Sequence, residues 1–332
     1  MRRFKAVFAG GLFLTGLLTI SEADEARRAE QGLKQIIDRF HESTARLNVP
    51  EVKATLNNVD IIIEDSPVLN AWILRALPRP SHRSKVTITT GYFLQLTYFT
   101  ELNILAAKSQ NLAKAHQVYL RYAYELTGQN QNNLIRKLPL VTLKSPEEYA
   151  KIDPRCALLA TAYPFPDSEK ETRSRQTAAA VNFTILHELG HQWLGHRGLS
   201  EANFKRATTD KERWSSAFSE MRRSRNQEYD ADRWATRQLM IAGNHPLEIL
   251  NNTTINSLVN SSGLDAFFET SSTHPMALNR VKTIIAEIRR CDRELRGGKT
   301  VTGAVETVLN DLELLAQKAQ TLLPPTPEAA YK

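Results

Sequence analysis

The sequence feature that most constrains this chain is an H-E-x-x-H pattern, His187-Glu188-Leu189-Gly190-His191, inside an apolar segment with helical periodicity. We predict a helix from Thr177 to Leu194. Because four residues make just over one helical turn, both imidazoles project from one face at a separation suited to a single tetrahedral ion. The alternative is a pair of core histidines beside a surface glutamate, but buried imidazoles without a metal or hydrogen-bond partners carry a desolvation cost. The pattern therefore favours one zinc ion per chain, held by His187 and His191.

A catalytic zinc takes three protein ligands and leaves the fourth position to water, so a third ligand must come from elsewhere. The extended pattern H-E-x-x-H-x-x-G-x-x-H does not fit, because Leu194 and Arg197 stand where it needs glycine and histidine. His196 is one position short, which rotates it by about 100° on a helix. We interpret His196 as a helix C-terminal residue that is favourable near the negative end of the helix dipole.

A pair of carboxylates on a later predicted helix, residues 226–241, supplies the missing ligand. Glu228 and Asp232 are four residues apart and share a helix face with Ala235 and Leu239, so both line its apolar side. Two uncompensated carboxylates are expensive to bury, and a cation explains both. We predict that Glu228 completes the inner shell of the metal. Asp232 is expected to accept a hydrogen bond from a ligand imidazole and to fix its tautomer.

The N-terminus has the composition of a secretory signal. Residues 1–5 carry basic side chains, residues 6–20 are apolar, and Ser21 and Ala23 provide small residues at the −3 and −1 positions of a cleavage site. We predict a signal peptide over residues 1–23 and a periplasmic location, with secretion or membrane anchoring as alternatives. An uncleaved anchor is disfavoured because the apolar stretch is shorter than the ~20 residues that span a bilayer. Peripheral association with a membrane stays open.

The charge distribution argues against a nucleic-acid partner. The formal net charge is +7, and basic residues are interleaved with acidic ones without a long basic run. This pattern is typical of a solvated surface. Polypeptides are the predicted partners, and the sequence does not indicate an oligomeric state.

The two cysteines, Cys156 and Cys291, permit one disulfide. An even count in an exported chain is compatible with a bridge, and two buried free thiols are the alternative. We predict the bridge, which would tie the segment around Cys156 to the helix that carries Cys291.

The remaining pattern predicts one zinc metallopeptidase domain over residues 24–323 and a disordered tail over residues 324–332. The expected fold class is α+β, mainly helical: a zincin-like metallopeptidase fold with a small sheet beside the H-E-x-x-H helix. Besides the two helices above, we predict helices over 25–47, 91–109, 112–126, 211–222 and from 272 or 273 to about 295, strands over 59–63 and 86–90, a strand or helical turn over 70–74, a polar joint over 128–133 and a mainly irregular loop over 138–168.

Further motifs accompany the H-E-x-x-H pattern. The chain carries the Glu228 to Asp232 segment, then Ser272-Thr273-His274-Pro275, then Arg280-Val281. Upstream it carries Asn70-Ala71-Trp72 and the run over residues 86–92. Together these motifs resemble the HtpX and CAAX-prenyl-protease family of gluzincin metallopeptidases, in its soluble exported branch. The resemblance implies a zinc-dependent endopeptidase whose substrate lies extended along an edge strand that contains Asn70, Ala71 and Trp72.

The resemblance also implies roles for two residues that follow the metal motifs. His274 would stabilise the oxyanion or cap the zinc in a resting state, and Arg280 would assist it. The alternatives are helix capping next to Pro275 for His274 and a surface salt bridge for Arg280.

Two departures from the family pattern limit what can be transferred. An insertion over about 100–177 separates the two helices that relatives join almost directly, and it would serve as a lid, a partner surface or a plug. Leu77-Pro78-Arg79-Pro80 stands where a glycine-rich stretch is expected. We predict a zinc endopeptidase acting on exported or envelope proteins, in quality control or processing, with Glu188 as general base. The alternative is a zinc-bearing chaperone or assembly factor with little or latent proteolytic activity.

Overall fold

A computed structural model describes residues 22–47, 50–66, 71–74, 83–139, 141, 143–196, 210–250 and 277–321. Within these ranges the chain is mainly helical with one small sheet, as the expected class requires. The elements are α1 (Glu22–Leu47), α2 (Pro50–Leu56), β1 (Val59–Glu64), β2 (Ala71–Leu74), β3 (Ser84–Thr89), α3 (Thr90–Lys108), α4 (Gln110–Arg136), α5 (Pro146–Ile152), a 3₁₀ helix (Pro154–Thr161), α6 (Asp167–Trp193), α7 (Asp210–Ile241), α8 (Ala277–Arg296) and α9 (Ala304–Thr321).

The sheet has three strands in the order β1-β3-β2. Strand β1 runs parallel to β3, with Ile61 opposite Val86, and β2 runs antiparallel to β3, with Ala71 opposite Ile88. β-branched residues dominate β1 and β3, which suits a pleated surface packed on one side. Residues 71–74 are therefore a strand, and of the two predicted alternatives the helical turn is wrong.

The main hydrophobic core lies between α1, the sheet, α6, α7 and α8. Helix α1 contributes Leu33, Ile37 and Phe40 at helical spacing, and all three are buried. The C-terminal half of α6 is apolar on nearly every side because it crosses the middle of this core. The apolar sequence of this half of α6 is typical of a helix that is buried on most of its faces.

Glycine brings α6 and α7 unusually close to each other. A Cβ atom on Gly190 would lie 3.2 Å from the Trp234 ring and 3.3 Å from backbone atoms of Ala231. Both partners belong to α7, so a side chain at this position would push the two helices apart. The glycine inside the H-E-x-x-H pattern therefore sets the distance between the two helices.

The segment over 100–177 has its own hydrophobic cluster, built from α3, α4, the 3₁₀ helix and the residues that lead into α6. A buried polar network lies beside it: Glu101 accepts hydrogen bonds from the Tyr163 hydroxyl at 2.8 Å and from Arg173 Nη1 at 2.7 Å. His116 lies 3.3 Å from the same hydroxyl. The segment is thus a packed part of the fold that holds the N-terminal half of α6.

Two predicted irregular stretches in this segment are helical. The polar joint over 128–133 lies inside α4, where Asn130 bonds both the backbone N–H and the carbonyl of Val141 at 2.8 Å. The predicted loop over 138–168 contains α5 and the 3₁₀ helix, since a capping box between Ser145 and Glu148 starts α5. Side-chain capping and long-range pairing overrode the polar composition.

Two helices are longer than predicted. Helix α6 begins at Asp167, ten residues before the predicted start at Thr177. Its polar first turns pair with neighbours, as in the salt bridge of Lys108 with Glu169. Helix α7 runs without interruption over Asp210–Ile241, although we predicted separate helices over 211–222 and 226–241. Polar residues between the two predicted pieces are compatible with one helix because one face remains buried.

The predicted disulfide between Cys156 and Cys291 is wrong, because both are buried free thiols. Cys156 belongs to the cluster around α4, where its thiol lies 3.8 Å from the carbonyl of Ala115. Cys291 belongs to the main core on α8, where its thiol lies 3.2 Å from a carboxylate oxygen of Glu287. Because the two cysteines lie in different hydrophobic clusters, their sulfur atoms do not meet.

Several terminal predictions concern residues outside the described ranges. The signal peptide is one, apart from its last residues, because α1 begins at Glu22 and therefore crosses the predicted cleavage point. The tail over 324–332 is another. Among the helices that the structure describes, none combines the length and apolar character needed to cross a bilayer.

The helix contact at Gly190 generates a stability prediction. We expect Gly190→Ala to lower the free energy of unfolding by about 1 kcal/mol, because overpacking costs about 1–3 kcal/mol and exceeds the helix propensity gained over glycine. Gly32→Ala on α1 is the matched control, since the added methyl there meets only the Phe93 ring edge at 3.2 Å, which can move. Urea unfolding with a chelator present measures both. Equal or higher stability of Gly190→Ala would show that the helices adjust freely.

Candidate metal centre

Three side chains from α6 and α7 converge on one point. His187 Nε2 lies 3.2 Å from Glu228 Oε2, and His191 Nε2 lies 3.5 Å from Glu228 Oε1. The two Nε2 atoms are 3.2 Å apart. Their side chains are 8%, 14% and 13% exposed for His187, His191 and Glu228, so the group is shielded yet reachable from solvent. The structure thus brings together the three residues proposed as metal ligands.

The separations within this group match a tetrahedral zinc site. Zinc binds imidazole nitrogen at about 2.0–2.1 Å and carboxylate oxygen at about 2.0–2.2 Å, so ligand atoms at two corners of a tetrahedron are about 3.3–3.5 Å apart. The two Nε2 atoms are separated by 3.2 Å, and they lie 3.2 and 3.5 Å from the two different carboxylate oxygens of Glu228. Among the histidine, cysteine and carboxylate side chains of the described residues, these three have donor atoms close enough to share one ion. The donor set is therefore of the right chemistry and close enough together to share one zinc ion.

A carboxylate fixes the orientation of His187. Its Nδ1 lies 2.9 Å from Oδ1 of Asp232, which is fully buried one turn after Glu228 on α7. Arg280 on α8 donates to both Asp232 oxygens at 2.7 Å. Because Asp232 holds the proton on Nδ1, Nε2 is the nitrogen of His187 that would bind a metal once the ring is neutral.

A second outer contact was missed by the sequence analysis. His196 Nδ1 lies 2.9 Å from His191 Nδ1, on the side of the ring opposite to Nε2. His196 follows the C-terminal end of α6, where the sequence analysis placed it. The contact of its ring with His191 was not predicted, because it depends on how the chain turns after the helix.

Buried charges shift the two histidines in opposite directions. Burial lowers the pKa of His187, but hydrogen bonds to Asp232 and Glu228 outweigh it and raise the pKa to about 10. Burial and the neighbouring charge of His187 lower the pKa of His191 to about 3. Burial opposes ionisation of Asp232, yet Arg280 and His187 hold its pKa below the ordinary value. Near neutral pH these shifts favour a charged imidazolium at His187 and a neutral imidazole at His191.

The candidate base, Glu188, is half-buried on α6 directly after a proposed ligand. Tyr92, in the first turn of α3, is a neighbour that senses the charge of Glu188. The Tyr92 hydroxyl lies 3.2 Å from the Thr184 hydroxyl. Burial raises the pKa of Tyr92, and the charge of Glu188 adds to that shift. Arg280 opposes it. The carboxylate of Glu188 thus shares an electrostatic environment with the groups around the centre.

The part of the chain that carries these groups matches a known protein family. A family model described as Peptidase U49 matches residues 100–296, more than half of the 332 residues. The chain belongs to the Peptidase U49 family. This membership makes it a peptidase and gives it polypeptide substrates.

The U49 match also changes the status of the segment over 100–177. That segment and the metal centre both lie inside the matched range. The segment is therefore part of what the U49 family model describes. The match supports a peptidase in general and does not single out the HtpX and CAAX-prenyl-protease family. No curated protein and no solved structure matches the chain.

Of the other proposed site residues, some lie within the described ranges and some do not. Ala71 and Trp72 lie in β2, opposite Ile88 and Thr87 of β3. Asn70 and His274 lie outside the described residues. Arg280 is described, and its contacts put it behind His187, where it binds Asp232.

The buried ion pair at this U49 centre generates a prediction. We expect Arg280→Ala to destabilise the protein by about 3–5 kcal/mol, because it leaves the fully buried Asp232 without its cation. Arg237→Ala is the matched control, since Arg237 and Glu294 join the same two helices through an exposed pair at 2.8 Å. Solvent and salt screen that pair, so its loss costs little.

Urea unfolding of both variants without metal provides the measurement. Similar small losses for the two would mean that Asp232 finds another partner or is protonated at little cost. A loss confined to Arg280→Ala would tie the stability of the core to the charge that positions His187.

Proposed function

We propose that this U49 peptidase is a zinc-dependent endopeptidase, with His187, His191 and Glu228 as ligands. The observation that carries the proposal is the convergence of one donor atom from each of the three side chains, all within 4.8 Å of one another. The outer contacts support it, since each imidazole has a partner at Nδ1 and so presents Nε2 to the common point. A pair of structural core histidines needs no third donor at tetrahedral spacing.

A zinc ion bound there would act as a Lewis acid and lower the pKa of a water molecule toward ~7. Glu188 is the proposed general base: it neighbours His187 on the same helix but projects about 100° away, which suits a proton acceptor and not a third ligand. It takes the proton of the attacking water and returns it to the leaving amine. His274 is proposed, from its motif alone, to donate to the developing oxyanion.

The substrate is proposed to lie extended along β2. Within the described residues β2 is an edge strand of the sheet, next to β3, and an edge strand can accept an added strand. Backbone hydrogen bonds to such an edge bind a peptide with little dependence on side chains. A zincin-like fold and kinship with HtpX-type enzymes are part of this proposal, as are a signal peptide over 1–23 and substrates among exported or envelope proteins.

The variant that tests this function is Glu188→Gln. The amide has nearly the same shape but cannot accept the proton, so we expect zinc content to remain at one per chain. Hydrolysis of an unfolded protein substrate should fall by at least the ~10²–10⁴ typical of general-base loss. Substrate cleavage and metal content are measured on the same preparations. His187→Ala, His191→Ala and Glu228→Ala should each abolish stoichiometric zinc.

The outcomes of this test separate the competing functions. Zinc loss in Glu188→Gln would remove its assignment as base. Full zinc in Glu228→Ala would remove Glu228 from the metal shell. Equal binding of an unfolded client by wild type and Glu188→Gln, with no cleavage by either, would favour the chaperone function over peptide hydrolysis.

The raised pKa of His187 generates a second prediction for zinc binding. At pH 8 the protein without zinc holds a second ring proton on His187, whose pKa is raised to about 10, whereas a zinc ligand must be neutral. His191 is already neutral at that pH and keeps a single ring proton, because its pKa is lowered to about 3. We therefore expect zinc binding at pH 8 to release about one proton from the histidine pair, with apparent affinity increasing about tenfold per pH unit until pH 10.

Titration calorimetry in two buffers of different ionisation enthalpy counts the released protons. Repeating it at pH 10.5 serves as the control, because His187 is then mostly neutral before zinc arrives. A release of no proton at pH 8, or the same release at both pH values, would contradict the protonated state of His187.

A further inference from the structure

We propose that His196 is a positioning residue for the metal centre: it accepts the Nδ1 proton of His191 and so holds the Nε2 atom of His191 ready for zinc. The inference rests on the proposed function, since it concerns how this chain prepares a ligand. It assigns His196 the role at His191 that Asp232 has at His187.

The end of α6 places His196 beside His191. The backbone N–H of His196 donates to the carbonyl of His191 at 3.1 Å, and the N–H of Gly195 donates to the carbonyl of Gln192 at 3.3 Å. This pair of bonds is the Schellman pattern, in which the residue after the helix folds back onto the last turn. Gly195 has a φ of +67°, a left-handed conformation that glycine adopts without strain. Local backbone geometry thus determines where the ring of His196 lies.

In the usual form of this helix end, two apolar side chains meet where the chain folds back. Here two imidazoles meet, with ring centroids 5.0 Å apart and planes at 71°. The Nδ1 atoms of His191 and His196 are 2.9 Å apart, a hydrogen-bond distance. One nitrogen must therefore carry the shared proton and the other must accept it.

The metal determines which ring donates. His191 faces the candidate ion with Nε2, which must be unprotonated to bind zinc. A neutral imidazole with a bare Nε2 carries its proton on Nδ1, so His191 is the donor. His196 accepts with its own Nδ1 and keeps its proton on Nε2. The contact thus selects the tautomer of His191 that can bind metal.

A neutral acceptor suits this place better than a second carboxylate. Asp232 is a buried anion, and Arg280 supplies the cation that balances it. A carboxylate at position 196 would add a negative charge beside His191, whereas an imidazole accepts the same proton without adding charge. The two ligand histidines are therefore oriented by different chemistries.

The test compares His196→Ala with His196→Asn. Alanine removes the acceptor, and we expect zinc to bind 10–100-fold more weakly, which is the usual effect of losing an outer hydrogen-bond partner of a metal ligand. Asparagine places a carbonyl oxygen near the position of Nδ1, so His196→Asn should bind within about threefold of wild type. His41→Ala, which removes an exposed imidazole on α1, is the matched control and should bind as wild type does.

Zinc dissociation constants are measured by competition with a chromophoric chelator, on protein whose urea unfolding curve shows that it is folded. Cobalt(II) titration gives a second reading, since the visible spectrum of His196→Asn should match wild type and that of His196→Ala should be shifted. Wild-type affinity in His196→Ala would overturn the inference and leave the proposed function intact. Equal weakening in both variants would overturn the acceptor role. Absence of zinc and cobalt binding in wild type would overturn the proposed function, and this inference with it.

Discussion

The close packing of α6 against α7 is the constraint on which the centre depends. Gly190 lets the helices approach until its Cα faces the Trp234 ring and the backbone of Ala231. The two histidine Nε2 atoms of α6 then lie 3.2 and 3.5 Å from carboxylate oxygens of Glu228 on α7. Both helices are buried in one core, so the geometry of the site is set by the same forces that stabilise the fold. Helices supply ligands with less positional freedom than loops do.

A polar cluster in an apolar core is tolerated here because each charge has a partner. Asp232 has no exposed surface and is bound by Arg280 and His187, from two different helices. Removing any member leaves another buried without compensation. The third helix, α8, therefore contributes to the centre without supplying a metal ligand, and the packing of three helices and the orientation of one imidazole depend on the same ion pair.

The sequence predicts the parts of this structure that depend on short-range spacing. His187 and His191, and Glu228 and Asp232, are each one turn apart, so helical periodicity alone puts each pair on one face. The link between Asp232 and Arg280 joins residues 48 positions apart and has no local signature. Likewise, the polar residues near Asn130 were predicted to form a joint between helices. They are helical because partners outside the helix, such as the backbone of Val141, satisfy their side chains, and a local pattern does not reveal such partners. The cysteines show the same limit, since an even count carries no information about which cluster each one joins.

Helix α6 is a single element of 27 residues, about 40 Å long at 1.5 Å per residue. Its first half is held by α3, through the pairs of Arg173 with Glu101 and of Glu169 with Lys108, and its second half carries the H-E-x-x-H residues. The segment over 100–166 is therefore not a detachable module. A shortened chain built to retain only the metal-binding half would expose the flank of the helix that aligns the histidines, so the chain has to be trimmed, grafted or recombined as one unit.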